Sequence, residues 1–74
     1  MCIEKKLGEK IKLLRKEKKL SQEKLAELSN LHRNYIGQIE RGEKSVTIST
    51  LIKICEALSI KPSNLLKIIE EEDE

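Results

Sequence analysis

The stretch Leu20–Gly42, LSQEKLAELSNLHRNYIGQIERG, decides how the rest of the chain is arranged. Ser21 is a good N-cap, and the residues after it carry Leu25, Ala26 and Leu28 at helical spacing. Ser29, Asn30 and Leu31 interrupt that helix. Asn30 is one of the few non-glycine residues that tolerates the left-handed backbone a sharp corner requires. A further helix, about Arg33 to Arg41, stops at Gly42 in the C′ position. On it Ile36 and Ile39 lie about 60° apart around the axis and define the buried side. Asn34, Gly37, Gln38 and Arg41 fall opposite, with Arg33 and Tyr35 on the flanks near the helix start. A hydrogen-bonding, positively charged face with a small residue at its middle is what a helix needs to lie against base-pair edges. Two short helices with a tight corner and such a face predict a helix-turn-helix unit.

The 74 residues bound the answer to one small domain with about five short helices around Leu and Ile. A second functional domain is not expected. One aromatic, Tyr35, one proline, Pro62, and few β-branched runs argue against a sheet. The fold class is therefore all-α, a compact helical bundle. The net charge of +2 hides an asymmetry, because residues 70–74 are all acidic. The remaining body holds 15 basic against 8 acidic side chains, a net of +7. Such a body favours polyanions, although lysine-rich helices can also be merely soluble.

Cys2 and Cys55 are far apart and belong to no Cys/His cluster, so no metal site is expected, and Cys55 reads as a small buried hydrophobe. Charge begins at Glu4 and no long apolar run follows, so neither a signal peptide nor a membrane span is expected, and the chain reads as cytoplasmic. No nucleophile–base pair, paired carboxylates or Gly-rich phosphate loop suggests an enzyme, and neither cofactor nor small-molecule substrate is implied.

In chain order, residues 3–18 predict a first helix with Ile3, Leu7, Ile11 and Leu14 as one buried stripe. Lys5, Lys6, Lys10, Lys12 and Lys16 decorate its other faces, while Lys16, Lys18 and Lys19 could touch phosphates or be solvated. Gly8 costs this helix about 1 kcal/mol relative to alanine and could permit close packing. Glu40 follows Ile39 on the inward side of the third helix, where a carboxylate is costly unless paired. Arg15, one residue beyond Leu14, is the obvious partner. A structural Arg15–Glu40 ion pair is expected to tie the first helix to the third.

Residues 43–47 read as a polar loop closed by Val46, with Lys44 and Ser45 placed to meet a nucleic-acid backbone. Residues 48–58 predict a fourth helix with Leu51, Ile54, Cys55 and Leu58 on one face, capped by Thr47 or Ser49. Pro62 suits the first turn of a fifth helix carrying Leu65, Leu66, Ile68 and Ile69. Ile52 and Leu66 lie off the core stripes. Ile52, Leu66 and Ile69 are therefore expected at a homodimer interface formed by helices four and five, the alternative being a terminal helix that simply wraps the core. The domain spans residues 1–69, including that dimerisation helix. The acidic tail 70–74 sits at the unfavourable end of a helix dipole and is expected to fray.

The segment LSQEKLAELSNLHRNYIGQIERGEKSVTISTLIKICEAL, residues 20–58, resembles the lambda-repressor/Cro-like family of bacterial helix-turn-helix regulators. The resemblance spans about residues 7–66 and is carried by LSQ at 20–22, LA at 25–26, YI at 35–36, IERG at 39–42 and TISTLIKICEAL at 47–58. It implies a five-helix, lambda-repressor-like DNA-binding domain with the motif in helices two and three. The segment LHRNYIGQIERGEKSVTI looks most like the small controller proteins of restriction–modification operons. These are dimers that bind operator repeats upstream of their own gene and the endonuclease gene. Asn34 stands where that group typically has threonine, and Gly37 where it often has serine.

The resemblance further implies that Gln22 anchors a phosphate, that Arg33 reads a guanine and that Asn34 takes an adenine. Tyr35 would meet the DNA backbone or a thymine methyl, or pack its ring internally. Lys44 and Ser45 would meet phosphates. Gln38 is divided between a base contact and solvent, and Arg41 shares its face. His32 reads as a helix-start residue. The alternatives are a phage-type repressor, an antitoxin-like regulator, or a protein-interaction module that has lost DNA binding. The basic body and polar face argue against the last.

Overall fold

The structure is a computed structural model and describes residues 2–72. Five helices follow one another: α1 (Ile3–Glu17), α2 (Gln22–Ser29), α3 (Arg33–Glu40), α4 (Ile48–Ala57) and α5 (Pro62–Glu72). No strand occurs among the described residues. The helix α3 packs against both α1 and α2, α2 also packs on α4, and α5 closes the bundle against α1 and α4. The core is a single cluster in which Ile11, Leu25, Ile36, Ile39, Ile54, Cys55, Leu58 and Leu65 are fully enclosed. Each large aliphatic side chain buried there contributes about 1.5–3 kcal/mol. Leu51, Ile54, Cys55 and Leu58 face inward together, as their spacing predicts.

The helix ends follow a repeated chemistry. Ser21 Oγ accepts the Lys24 N–H at 2.9 Å, and Thr47 Oγ1, rather than Ser49, accepts the Thr50 N–H at 3.2 Å. The left-handed residues Lys19, Asn30, Gly42 and Ser59 stop α1 to α4. In each case a paired set of backbone bonds closes the last turn, as in Gly42 N–H to Ile39 C=O and Glu43 N–H to Gln38 C=O. This is the Schellman arrangement, which satisfies carbonyls that would otherwise lack partners. It is normally completed by an apolar residue just beyond the cap. Leu20, Leu31 and Ile60 do this for α1, α2 and α4, packing against the core. After α3 the corresponding residue is Glu43, which is exposed.

Two glycines set how closely α1 can approach α3. A Cβ on Gly8 would collide with the Ile39 carbonyl oxygen and lie 2.8 Å from that of Glu40. Gly42 adopts φ +75°, and a Cβ there would lie 2.8 Å from the Cα of Lys5. The first glycine is thus the close-packing residue its position suggests, and the second serves both conformation and contact.

Several expectations are corrected. Ile3 was to begin the buried stripe of α1, but it is 53% exposed, because the core ends at Leu7 and leaves the first turn overhanging. Lys6, placed with the lysines on the other faces of α1, is buried. Ile69 is only 4% exposed and so does not belong to an exposed interface. It lies one helical turn from the enclosed Leu65 and shares its inward side. The segment from residue 70, expected to fray, continues α5 through Glu72, while residues 73 and 74 lie outside the described residues.

Candidate nucleic-acid interface

The start of α3 is built by His32, whose Nδ1 accepts the Asn34 backbone N–H at 3.1 Å. That contact makes His32 the N-cap. Arg33 and Asn34 then leave the first turn into solvent. A shallow polar depression of about 330 Å³ runs along the outer side of the helix, lined by Gln22, Arg33, Asn34, Gly37, Gln38 and Arg41. Five of the side chains expected to meet nucleic acid are therefore brought together, around a glycine that leaves the middle of the face low.

The orientation of this face is fixed from behind. Arg15 donates to Glu40 through Nε at 2.6 Å and Nη2 at 3.1 Å, and its Nη1 donates to the Leu20 carbonyl at 2.7 Å. The Glu40 side chain is 2% exposed. It accepts a third bond, from Gln22 Nε2 at 3.1 Å. A buried carboxylate with this many donors is satisfied, and it pins α3 to α1 and to the start of α2. The expected Arg15–Glu40 pair is present. Gln22 has a structural task that the sequence did not reveal, and the second hydrogen of its amide nitrogen is left for an outside acceptor.

Tyr35 lies on the other flank, its ring packed against the core and its hydroxyl 3.5 Å from the Ser45 carbonyl oxygen, a long contact. Ser45 in turn donates its hydroxyl to Glu4 at 3.1 Å. The Cys2 thiol first, then the Glu4 backbone N–H and then Ser45 hold the Glu4 carboxyl below its usual 4.5. Lys44 is exposed beside them. Tyr35, Lys44 and Ser45 thus form a second group, apart from the depression.

Two further ion pairs on this side of the molecule are exposed. Arg33 lies 3.6 Å from Glu23, and Arg41 grips Glu43 through Nε at 2.8 Å and Nη2 at 3.2 Å. The Arg41–Glu43 pair escaped the sequence reading; its only signal was a carboxylate directly after the capping glycine. Among the described residues no helix is long and apolar enough to cross a membrane, and no three His, Cys, Asp or Glu side chains cluster to hold a metal.

The helix-turn-helix family profile matches residues 11–68. The chain belongs to that family. Among its helix-turn-helix relatives, control protein C.SmaI of Serratia marcescens is 48% identical over 66 residues, covering 89% of this chain and 79% of that one. The restriction–modification controller protein C.AhdI from Aeromonas hydrophila superposes with a TM-score of 0.85 at 42% identity, over 88% of this chain and 98% of that one. The controller protein C.Esp1396I, solved as a tetramer on its natural 35-base-pair operator, superposes with a TM-score of 0.88. It is 35% identical, over 97% of this chain and 95% of that one. The chain is a helix-turn-helix transcriptional regulator of the controller type.

Proposed function

We propose that this regulator acts in the cytoplasm as a homodimer on pseudo-palindromic operator DNA and controls a restriction–modification operon. The observation that carries the proposal is the polar depression over Gly37, held outward by the buried Arg15–Glu40 pair. Placed in a major groove, α3 brings Arg33 to a guanine and Asn34 to an adenine, with Gln38 and Arg41 further along the same floor. Gln22 anchors a phosphate on one side; Tyr35, Lys44 and Ser45 meet the backbone on the other.

Dimerisation places two such helices about 34 Å apart, one turn of the duplex. Ile52 and Leu66, 41% and 48% exposed, supply the apolar surface for it. Ile48 and Ile68 are exposed on the same two helices and extend it, whereas Ile69 is spent in the core.

Footprinting on DNA upstream of the chain's own gene tests this reading. Protection of two half-sites one helical turn apart is expected. Arg33→Ala should lose about 1–3 kcal/mol on that site and relax preference at one base pair, while Lys44→Ala should weaken all sequences and lower the salt slope by about 1. Equal loss by Arg33→Ala on operator and random DNA would remove the base-reading role.

A further inference from the structure

We infer that Glu43 is a positioning residue for Arg41, holding its guanidinium across Gly37 so that Arg41 reads a guanine rather than a phosphate. The inference rests on the DNA-binding reading above and adds a specificity-determining carboxylate to it.

The geometry is assembled by the end of α3. Gly42 at φ +75° turns the chain back, and the Glu43 N–H bonds to the Gln38 carbonyl at 2.8 Å, so the Glu43 backbone is fixed by the helix cap itself. The other three caps fill this position with an apolar residue packed on the core, whereas here it is a carboxylate turned toward the outer face. Glu43 takes one particular edge of the guanidinium, the one formed by Nε and Nη2. The end-on fork of Nη1 and Nη2 keeps one N–H on each nitrogen outside that pair. That fork carries two parallel N–H groups and matches the O6 and N7 acceptors of guanine.

Nη1 lies 3.1 Å from where a Cβ of residue 37 would stand, so the fork is laid over the lowest point of the depression. A methyl at 37 would press on Nη1 and shift it by a few tenths of an ångström. The bonds from Arg41 hold the Glu43 carboxyl below its usual 4.5. Arg33, by contrast, has only a single 3.6 Å approach to Glu23, which leaves its fork without a fixed edge.

A carboxylate beside a duplex would otherwise be purely repulsive, and the two roles predict opposite results for Glu43→Gln. The experiment compares wild type, Glu43→Gln and Arg41→Lys in binding selections from a randomised duplex library, then measures affinity for the selected site and for random duplex. With Glu43 as a positioning residue, Glu43→Gln loses preference for guanine at the same base pair as Arg41→Lys. Its ratio of selected-site to random affinity then falls by about two- to tenfold, the ordering cost of one long side chain. If Glu43→Gln binds every duplex more tightly with its base preference unchanged, Glu43 is only repulsive and the inference is overturned. If wild type selects no sequence, the DNA-reading proposal itself fails, and this inference with it.

Discussion

Replacing Arg15 by alanine should be among the most damaging single changes available to this chain. The variant leaves Glu40, whose side chain is 2% exposed, with Gln22 as its one remaining side-chain partner among the described residues. It also strips a donor from the Leu20 carbonyl at the end of α1. Removing one member of a buried pair costs about 3–5 kcal/mol, because the survivor stays desolvated. A domain of this size is stable by about 4–11 kcal/mol in total. At about 4–8 °C per kcal/mol the melting midpoint should fall by roughly 12–40 °C. Urea unfolding followed by circular dichroism at 222 nm gives the number directly. The exposed Lys24–Glu27 pair serves as the control, since Lys24→Ala should change stability by less than about 0.5 kcal/mol. Should Arg15→Ala unfold within 1 kcal/mol of wild type, the pair does not fix α3, and the reasoning about its orientation fails.

Three further outcomes are expected. Gly8→Ala gains about 1 kcal/mol of helix propensity but drives a methyl into the backbone carbonyls of Ile39 and Glu40. Overpacking against backbone should win, with a net loss of about 1–2 kcal/mol in urea unfolding; a gain would show that the helices separate freely. Ile52→Asp combined with Leu66→Asp should shift the protein to monomer in sedimentation and weaken operator binding while the far-ultraviolet spectrum is retained. An unchanged sedimentation coefficient would place the interface elsewhere. Of the two thiols, exposed Cys2 should react at once with a disulfide reagent, and Cys55 only on unfolding. Burial raises the Cys55 thiol above its usual 9.0, so the stability it adds is complete below that pH and is lost as pH climbs past it. Two fast-reacting thiols in the native protein would contradict this packing.

Much of this was legible in the sequence because it depends on near neighbours. Ser21, Asn30 and Gly42 are residues whose own chemistry dictates a cap or a left-handed turn, and they mark the corners of α2 and α3 without tertiary knowledge. Arg15–Glu40 was legible for a different reason: an ionised group on an inward face needs a partner, and few candidates were within reach. What depends on the packing of particular helices was not. Ile69 shares the side of Leu65, yet counting apolar residues could not tell which face of α5 the core would use. Ile3 fits the periodicity of α1 but is left half exposed at its first turn. Lys19 and Ser59 take the left-handed conformation without being typical residues for it, because the apolar residues that follow, Leu20 and Ile60, are drawn into the core. The Arg41–Glu43 grip requires knowing that the Gly42 turn folds the chain back. The polar face of α3 was predicted residue by residue, while the second anchor of Gln22 on Glu40 emerged only from the fold.

The central claim, that α3 lays its polar side in a major groove, is tested most directly by methylation interference on the operator. Guanine N7 lies on the major-groove floor and adenine N3 in the minor groove. The account predicts that N7 methylation blocks binding at guanines in two clusters about 34 Å apart, and that one of these interferences disappears in Arg33→Ala. Interference from adenine N3 alone, with every guanine N7 tolerated, would contradict it.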